Sequence, residues 1–562
     1  MTYDLVIHNG VVIDGTGSPG LRADVGILDG RIVEVGGISQ RGRRTIDAEG
    51  HVVTPGFIDG HTHMDAQVMW DELGSCSCYH GVTTVVMGNC GFSLAPAHAD
   101  ERELVVRNLE RAEDISSEAL AAGIEWTWET FPEYLEAVDR QKKSINYAAY
   151  IGHSALRTWA MGERAFSEPA SDRDLETMTQ ALTEALHAGA IGFTTSRSSA
   201  HATSDDRPVA SRLATWDEVR SLVGEMGRLG AGVFELARDL GASSADPEER
   251  QFSQRQLVEL ARDTGVPITF GTFNKKSLEG LDAITEAGGR AFGQTHSRGV
   301  ASVTSFRTRM PFDTLPSWKT LRARPLEEQR ALLMTPEIRR ALIDEAHNGA
   351  YPQAIGAEAR RPDYEAMHLY NTPLPPYPTV AEIAAEKRLD PVELIIRLSL
   401  DTDFTQLFVQ PLTSTADDDL LTSMRHPHTA MTFSDSGAHV SQISDSSIQT
   451  HLLSYWVRER QEFTLEEAIQ KITAAPAAVW GFSDRGVLQE GFAADLNIFD
   501  PATVGPTMPV VVHDLPGGAR RLLQKASGFL ATVVGGETIV DRGEATDTRP
   551  GKLIRGPLAA NR

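Results

Sequence analysis

A chain of 562 residues exceeds what one ordinary hydrophobic core organises, so its length implies two domains or one large barrel with an accessory module. Hydrophobic residues at 41% and charged residues at 23% are the proportions of a globular protein able to bury a large core. Lys+Arg of 53 against Asp+Glu of 77 leaves a net charge of -24, which repels phosphate backbones and anionic surfaces and argues against nucleic acid and membrane as partners.

In chain order, the N-terminal stretch Met1 to Ile7 has no basic segment followed by an apolar one, and no window approaches the ~18 apolar residues of a membrane span, so a cytoplasmic location is expected. Residues 3 to 52 read as short strands broken at Asn9-Gly10, Asp29-Gly30 and Glu49-Gly50. The segment from Gly486 to Val540 has the same texture, and neither half has enough apolar surface to stand alone. A composite β-sandwich built from residues 1–56 and 484–562 is the economical solution.

Between these ends, β-rich runs alternate with helical runs, the pattern of a parallel sheet of βαβ units. The strand candidates are Phe57 to His63, Thr83 to Cys90, Tyr147 to His153, Ile191 to Ser196, Gly232 to Ala237, Pro267 to Phe273, Ala291 to His296 and Met431 to Asp435. The fold class expected is therefore α/β, a (β/α)8 barrel over residues 57–483 with the small sandwich beside it. The interval from Val300 to Ala430 is too long for a βα connection and is expected to be an insertion over the barrel mouth, with helices at Pro325 to Met334, Pro336 to Ala346 and Pro391 to Leu400.

A barrel of this kind carries its chemistry at the C-terminal strand ends. His61 and His63, one residue apart on an extended segment, project to one side and form a chelating pair. Asp435, ending the eighth strand beside the first, is expected to touch a metal there and take a proton from its water, although alone it also reads as a turn aspartate. Cys90, between flexible glycines at the end of the second strand, is a thiolate ligand or a buried apolar cysteine. The other two cysteines, Cys76 and Cys78, read as small buried side chains in a helix. His153 and His296 end the third and seventh strands, as polarising groups, ligands or rim histidines. His439 is a weaker candidate, and His187 and His451, within helical runs, read as ordinary.

These residues resemble the amidohydrolase superfamily and, within it, the D-aminoacylase or N-acyl-D-amino-acid deacylase branch. The resemblance rests on Pro55-Gly56-Phe57-Ile58-Asp59-Gly60-His61-Thr62-His63, on Gly88-Asn89-Cys90-Gly91-Phe92-Ser93, on Ser434-Asp435-Ser436-Gly437-Ala438-His439 and on the closing run Gly486 to Leu496. It implies a hydrolase holding one or two zinc ions, in which a cysteine after the second strand replaces the modified lysine of other members. By position His61, His63, Cys90 and Asp435 match that pattern.

The departures are as informative. The family expects histidines at the ends of the fifth and sixth strands, where this chain has Phe234-Glu235-Leu236 and Gly271-Thr272-Phe273, leaving Glu235 or His296 as substitutes. The branch also carries an arginine for the substrate carboxylate soon after the aspartate, and none lies between Asp435 and Trp456, which leaves Arg157, Arg197 and Arg298 as replacements. The expected activity is hydrolysis of a linear C–N amide in a small-molecule substrate by attack of a metal-bound water. The alternatives are a cyclic amide as in hydantoinase-like relatives, a carbamate or xenobiotic amide, and a catalytically inactive metal-binding barrel. A homo-oligomer is a further expectation.

Overall fold

The computed structural model describes residues 2–561 apart from 112–113, 115–116, 238–243, 245, 356–357 and 443–444. The two ends of the chain meet in one sheet of nine strands. The N-terminal side supplies Leu5–Val12, Leu21–Leu28, Arg31–Gly36, Arg44–Asp47 and Val52–Pro55, and the C-terminal side Leu496–Phe499, Phe529–Val534, Glu537–Asp541 and Glu544–Ala545. The seam is an antiparallel pair with Val53 opposite Ile498. Ile7, Val25, Val53, Leu496 and Val533 form one buried cluster across it. Joining the two halves removes an unpaired edge from each.

The intervening chain builds three parallel ladders. Phe57–Asp59 pairs with Val82–Met87, which pairs with Asn146–Ala149. Ile151–Gly152, Gly192–Ser196, Val233–Ala237, Ile268–Gly271, Ala291–Thr295 and Thr429–Met431 follow one another in a second sheet. Phe433–Ser436 pairs with His61–Thr62 in the third. Val82–Met87 and Val233–Ala237 are buried along their whole length, as strands of a parallel sheet covered on both faces are.

The helices between the strands start and stop where local chemistry dictates. Ser171 and Asp174 form a capping box at the start of Asp172–Ala188, and Gly189 ends that helix in the left-handed conformation, at φ 119°. Thr215 caps Trp216–Leu229, whose Val219, Leu222, Val223 and Met226 form a buried stripe. His153 was expected to end a strand. It opens the helix His153–Met161 instead, because the extended Gly152 before it is the helix cap.

The interval after residue 300 has a hydrophobic cluster of its own, built around Phe306, Phe312, Trp318, Leu333 and Phe408. The expected helices are present as Leu326–Met334, Pro336–Asn348 and Pro391–Asp401. Three short strands were missed, Ala301–Thr304, His368–Tyr370 and Leu407–Pro411, which form an antiparallel ladder. Their partners lie far apart in sequence, so no hairpin turn announces them. Among the described residues no helix is long and apolar enough to cross a membrane.

Candidate metal centre

His61 lies in the short strand His61–Thr62 and His63 follows directly, its backbone N–H donating to the Ser436 carbonyl at 2.7 Å. That strand runs parallel to Phe433–Ser436 with an irregularity between Phe433 and Ser436. Asp435 sits in this kink with φ 58°, an unusual conformation for a residue other than glycine. Gly437 follows at φ 94°, where a Cβ would meet the His63 carbonyl oxygen at 2.6 Å. The kink turns the Asp435 carboxylate onto the histidine pair: Oδ1 is 3.1 Å from His63 Nε2 and 3.8 Å from His61 Nε2.

Cys90 arrives from the adjacent strand through a second left-handed turn, at φ 56° and ψ 21°. Gly91 beside it packs so closely that a Cβ would stand 2.8 Å from the Ser196 amide nitrogen. The turn brings Cys90 Sγ to 3.4 Å from His61 Nε2. Ligand atoms of His61, His63 and Cys90 all lie within 4.8 Å of one another.

Neighbouring side chains orient these groups. His61 Nδ1 is 2.6 Å from Gln294 Oε1, so Nδ1–H donates to the amide oxygen and the Nε2 lone pair faces Cys90 and Asp435. The His61 ring stacks on Phe433 at 3.8 Å between centroids. Glu235 Oε2 accepts the Cys90 backbone N–H at 2.8 Å, tying the cysteine turn to the fifth strand. Below the pair, the His61 backbone N–H donates to Asp59 Oδ1 at 3.3 Å.

Burial, assisted by the neighbouring His63, pushes the His61 imidazole down to about 3, so it is neutral. Burial alone would raise the Asp435 carboxyl, but the hydrogen bond from His63 and the surrounding histidines hold it well below the usual carboxylate range. Burial pushes the Asp59 carboxyl up to about 7. A neutral imidazole beside an ionised carboxylate is the ligand chemistry a divalent cation requires.

Several distances approach those of ligands on one ion. Two donors on a common tetrahedral zinc stand about 3.3 Å apart when neither is sulfur and about 3.5 Å apart when one is, given metal–nitrogen bonds of about 2.0 Å and metal–sulfur bonds of about 2.3 Å. His61–Cys90 at 3.4 Å and His63–Asp435 at 3.1 Å are close to those spacings, and His61–Asp435 at 3.8 Å is wider.

The remaining sequence candidates are placed elsewhere or otherwise engaged. His153 has both ring nitrogens committed, Nδ1 to Thr195 Oγ1 at 2.8 Å and Nε2 to Glu218 Oε1 at 2.9 Å. Arg157, fully buried, grips the same Glu218 through Nη1 at 2.6 and 2.5 Å. Arg197 donates to the Ala214 carbonyl at 2.9 Å and lies over the Trp216 ring. His296 is buried, its Nδ1 accepting the Arg298 backbone N–H at 3.1 Å. Arg298 lines a cavity with Tyr370, Tyr377 and His451.

Sequence reasoning missed Gln294, Phe433 and His201. His201 lies just past the fourth strand, with Nδ1 2.6 Å from Ser196 Oγ and its ring 5.2 Å from that of Phe92, which also neighbours His63. Burial and then the charge of His63 push it down to about 3. The signal for Gln294 was its place at the end of the seventh strand, where an amide is as capable as a carboxylate of fixing a histidine tautomer.

A model of the amidohydrolase family matches residues 44–540. The chain is 27% identical over 571 residues to D-aminoacylase of Alcaligenes xylosoxydans xylosoxydans, a match spanning 98% of this chain and 97% of the relative. N-acyl-D-glutamate deacylase of the same organism is 30% identical over 517 residues, 89% of this chain and 88% of the relative. Among solved structures, N-acyl-D-glutamate deacylase from Bordetella bronchiseptica, complexed with zinc and a phosphonate mimic of the tetrahedral intermediate, aligns with a TM-score of 0.65 at 25% identity, covering 99% of this chain and 100% of that one.

Proposed function

The chain belongs to the amidohydrolase family and is a metal-dependent hydrolase of linear, non-peptide C–N amide bonds, and from that premise we propose that it removes the acyl group from N-acyl-D-amino acids at a single zinc ion. The observation that carries this reading is the grouping of the His61, His63 and Cys90 ligand atoms within 4.8 Å of one another, with Asp435 Oδ1 set against the two histidines. Soft thiolate and imidazole donors with one carboxylate favour zinc. Support for one ion over two comes from the fifth and sixth strands, where Glu235 is tied to the Cys90 backbone and Ile268–Gly271 carries no histidine.

The parallel ladders, which follow one another with gaps of a single residue at Gly60, Tyr150 and Thr432, support reading residues 57–483 as one closed (β/α)8 barrel with the site at its C-terminal rim. Residues 1–56 and 484–562 are the accessory β domain, and the segment from about 300 to 430 is the insertion at the mouth.

In the mechanism, His61, His63 and Cys90 would hold the zinc, which would supply a Lewis acid and lower the pKa of water toward neutrality. Asp435 is ionised and accepts the proton of the attacking water, then returns it to the leaving nitrogen. Gln294 keeps His61 in the tautomer whose Nε2 faces the ion, and Glu235 holds the backbone turn that aims the Cys90 sulfur. His153 is too fully engaged to polarise a substrate carbonyl. His201 is assigned to the carbonyl oxygen: Ser196 Oγ accepts the Ser198 N–H and donates to His201 Nδ1, which leaves Nε2–H as a donor.

A second reading, a neutral N-acyl amide or carbamate, is favoured by the absence of arginine between Asp435 and Trp456. Elemental analysis together with a hydrolysis panel separates the possibilities. About one zinc equivalent and turnover of N-acyl-D-amino acids are expected. Two equivalents would overturn the single-ion assignment, and activity confined to hydantoins, or to amides and carbamates without a carboxylate, would overturn the substrate assignment.

A further inference from the structure

The segment that continues from Asp435 has a backbone its own residues disfavour. Asp435, Gly437 and His439 are all left-handed, at φ 58°, 94° and 45°. Asp and His tolerate that region better than most side chains, yet such conformations persist only where the surrounding structure over-determines them. Two local hydrogen bonds contribute: the Ala438 N–H donates to the Asp435 carbonyl at 3.1 Å and the Gln442 N–H to the His439 carbonyl at 2.8 Å. The other contacts come from distant parts of the chain. Leu522, in the strand Arg521–Leu523, donates its N–H to the Val440 carbonyl at 2.7 Å. Val303, in the strand Ala301–Thr304, donates its N–H to the Gln442 carbonyl at 2.5 Å.

Asp114 supplies a third distant contact, through side chains. Its Oδ2 accepts the Ser441 hydroxyl at 3.2 Å and the Gln442 Nε2–H at 2.9 Å, and its Oδ1 accepts from Arg309 Nη2. Bonds of this kind to an ionised carboxylate are stronger than those between neutral groups. The Asp114 side chain is only 10% exposed, so water competes little for it, whereas Arg309 is 40% exposed. One carboxylate thus joins two regions far apart in sequence. Ser441 and Gln442 follow Asp435 by six and seven residues. Arg309 stands beside Met310, a member of the separate hydrophobic cluster built after residue 300.

Resting on the reading of Asp435 as the base, we infer that Asp114 is a positioning residue for it. By holding Ser441 and Gln442 against Arg309, Asp114 fixes the left-handed segment that sets the Asp435 carboxylate against His61 and His63, so that seating of the 300–430 segment and placement of the base are coupled. The effect passes through the backbone and not through the substrate. A misplacement of about 1 Å at a reacting group, caused from a distance, can cost about 100-fold in rate.

The test compares Asp114→Ala, Arg309→Met, the double variant and Asp435→Asn as zinc-loaded proteins. Hydrogen exchange read by mass spectrometry over residues 435–442 needs no substrate. Asp114→Ala is expected to speed exchange there about tenfold or more while the rest of the chain keeps its protection. It should also lower kcat about 10- to 100-fold for the amide the wild type hydrolyses, with KM within about twofold. Arg309→Met is expected to change both readouts in the same direction, and the double variant to be no worse than Asp114→Ala alone. Arg309→Met, at an exposed side chain, is the decisive variant should Asp114→Ala fail to fold. Unaltered exchange over 435–442 would overturn the inference, as would faster exchange along the whole chain, which is a general loss of structure. A rise in KM at unchanged kcat would place Asp114 at the substrate instead, and additive effects of the two substitutions would remove the coupling. Near-normal turnover in Asp435→Asn would overturn the reading of Asp435 as the base, while the exchange data still decide whether Asp114 holds the segment.

Discussion

Asp435 Oδ1 stands 3.1 Å from His63 Nε2 because the eighth strand kinks at Asp435, with φ 58°, against the strand that carries His61. A carboxylate held there by backbone conformation is pre-positioned for proton transfer without a side-chain search. Replacing Asp435 by Asn keeps the shape and removes the base. Turnover is expected to fall about 10²- to 10⁴-fold or more while metal content is largely retained. Single-turnover rates and elemental analysis on one preparation decide it, and near-normal turnover would remove Asp435 from the role assigned here.

Glu235 offers a sharper distinction. Its Oε2 accepts the Cys90 N–H at 2.8 Å, so it acts on the metal through the cysteine turn. Gln keeps an acceptor oxygen and Ala does not. Glu235→Ala is expected to weaken zinc affinity about 10- to 100-fold, as loss of an orienting partner does, with Glu235→Gln close to wild type. A Gln variant as weak as the Ala variant in a competitive chelator titration would mean that the carboxylate charge itself contacts an ion.

Arg157, His153 and Glu218 form a buried charged cluster, in which burial would raise the glutamate but its two partners hold it at about 2. Removing one member of such a cluster leaves an uncompensated buried charge. Arg157→Met is expected to cost about 3 to 5 kcal/mol of stability. Its KM for whatever substrate the protein hydrolyses should hardly change. A large rise in KM at unaltered stability would instead place Arg157 at the substrate carboxylate.

His80 is buried, with Nε2 3.2 Å from the Gln524 carbonyl oxygen and Nδ1 2.8 Å from Thr450 Oγ1. Burial pushes it from 6.5 to about 3, so between these values the unfolded chain binds a proton that the folded protein does not. This contribution is fully present above pH 6.5 and is lost as pH falls toward 3, at up to about 1.4 kcal/mol per pH unit. Urea midpoints at pH 7 and pH 5 should decline less in His80→Gln than in wild type. Equal declines would show that His80 does not carry a depressed pKa.

Much of this protein was legible in its sequence because the relevant signals are local. The His61-Thr62-His63 spacing, the glycines around Cys90, the alternation of strands with capped helices and the β texture of both ends depend on neighbours a few residues apart. Those signals pointed to His61, His63, Cys90 and Asp435; the fold sets ligand atoms of the first three within 4.8 Å of one another and Asp435 against the two histidines. What tertiary structure alone decided was which groups each side chain meets. His153 and Arg157 follow the strand Ile151–Gly152, yet they are held by Glu218, some sixty residues on, at 2.9 and 2.5 Å. Gln294 orients His61 from 233 residues away, and Glu235 holds Cys90 from 145. The ladder of Ala301–Thr304, His368–Tyr370 and Leu407–Pro411 joins strands that have no turns to mark their pairing. Hydrogen bonding and burial act through space, so a partner's identity is set by the register of strands within the sheets, which no window of sequence contains.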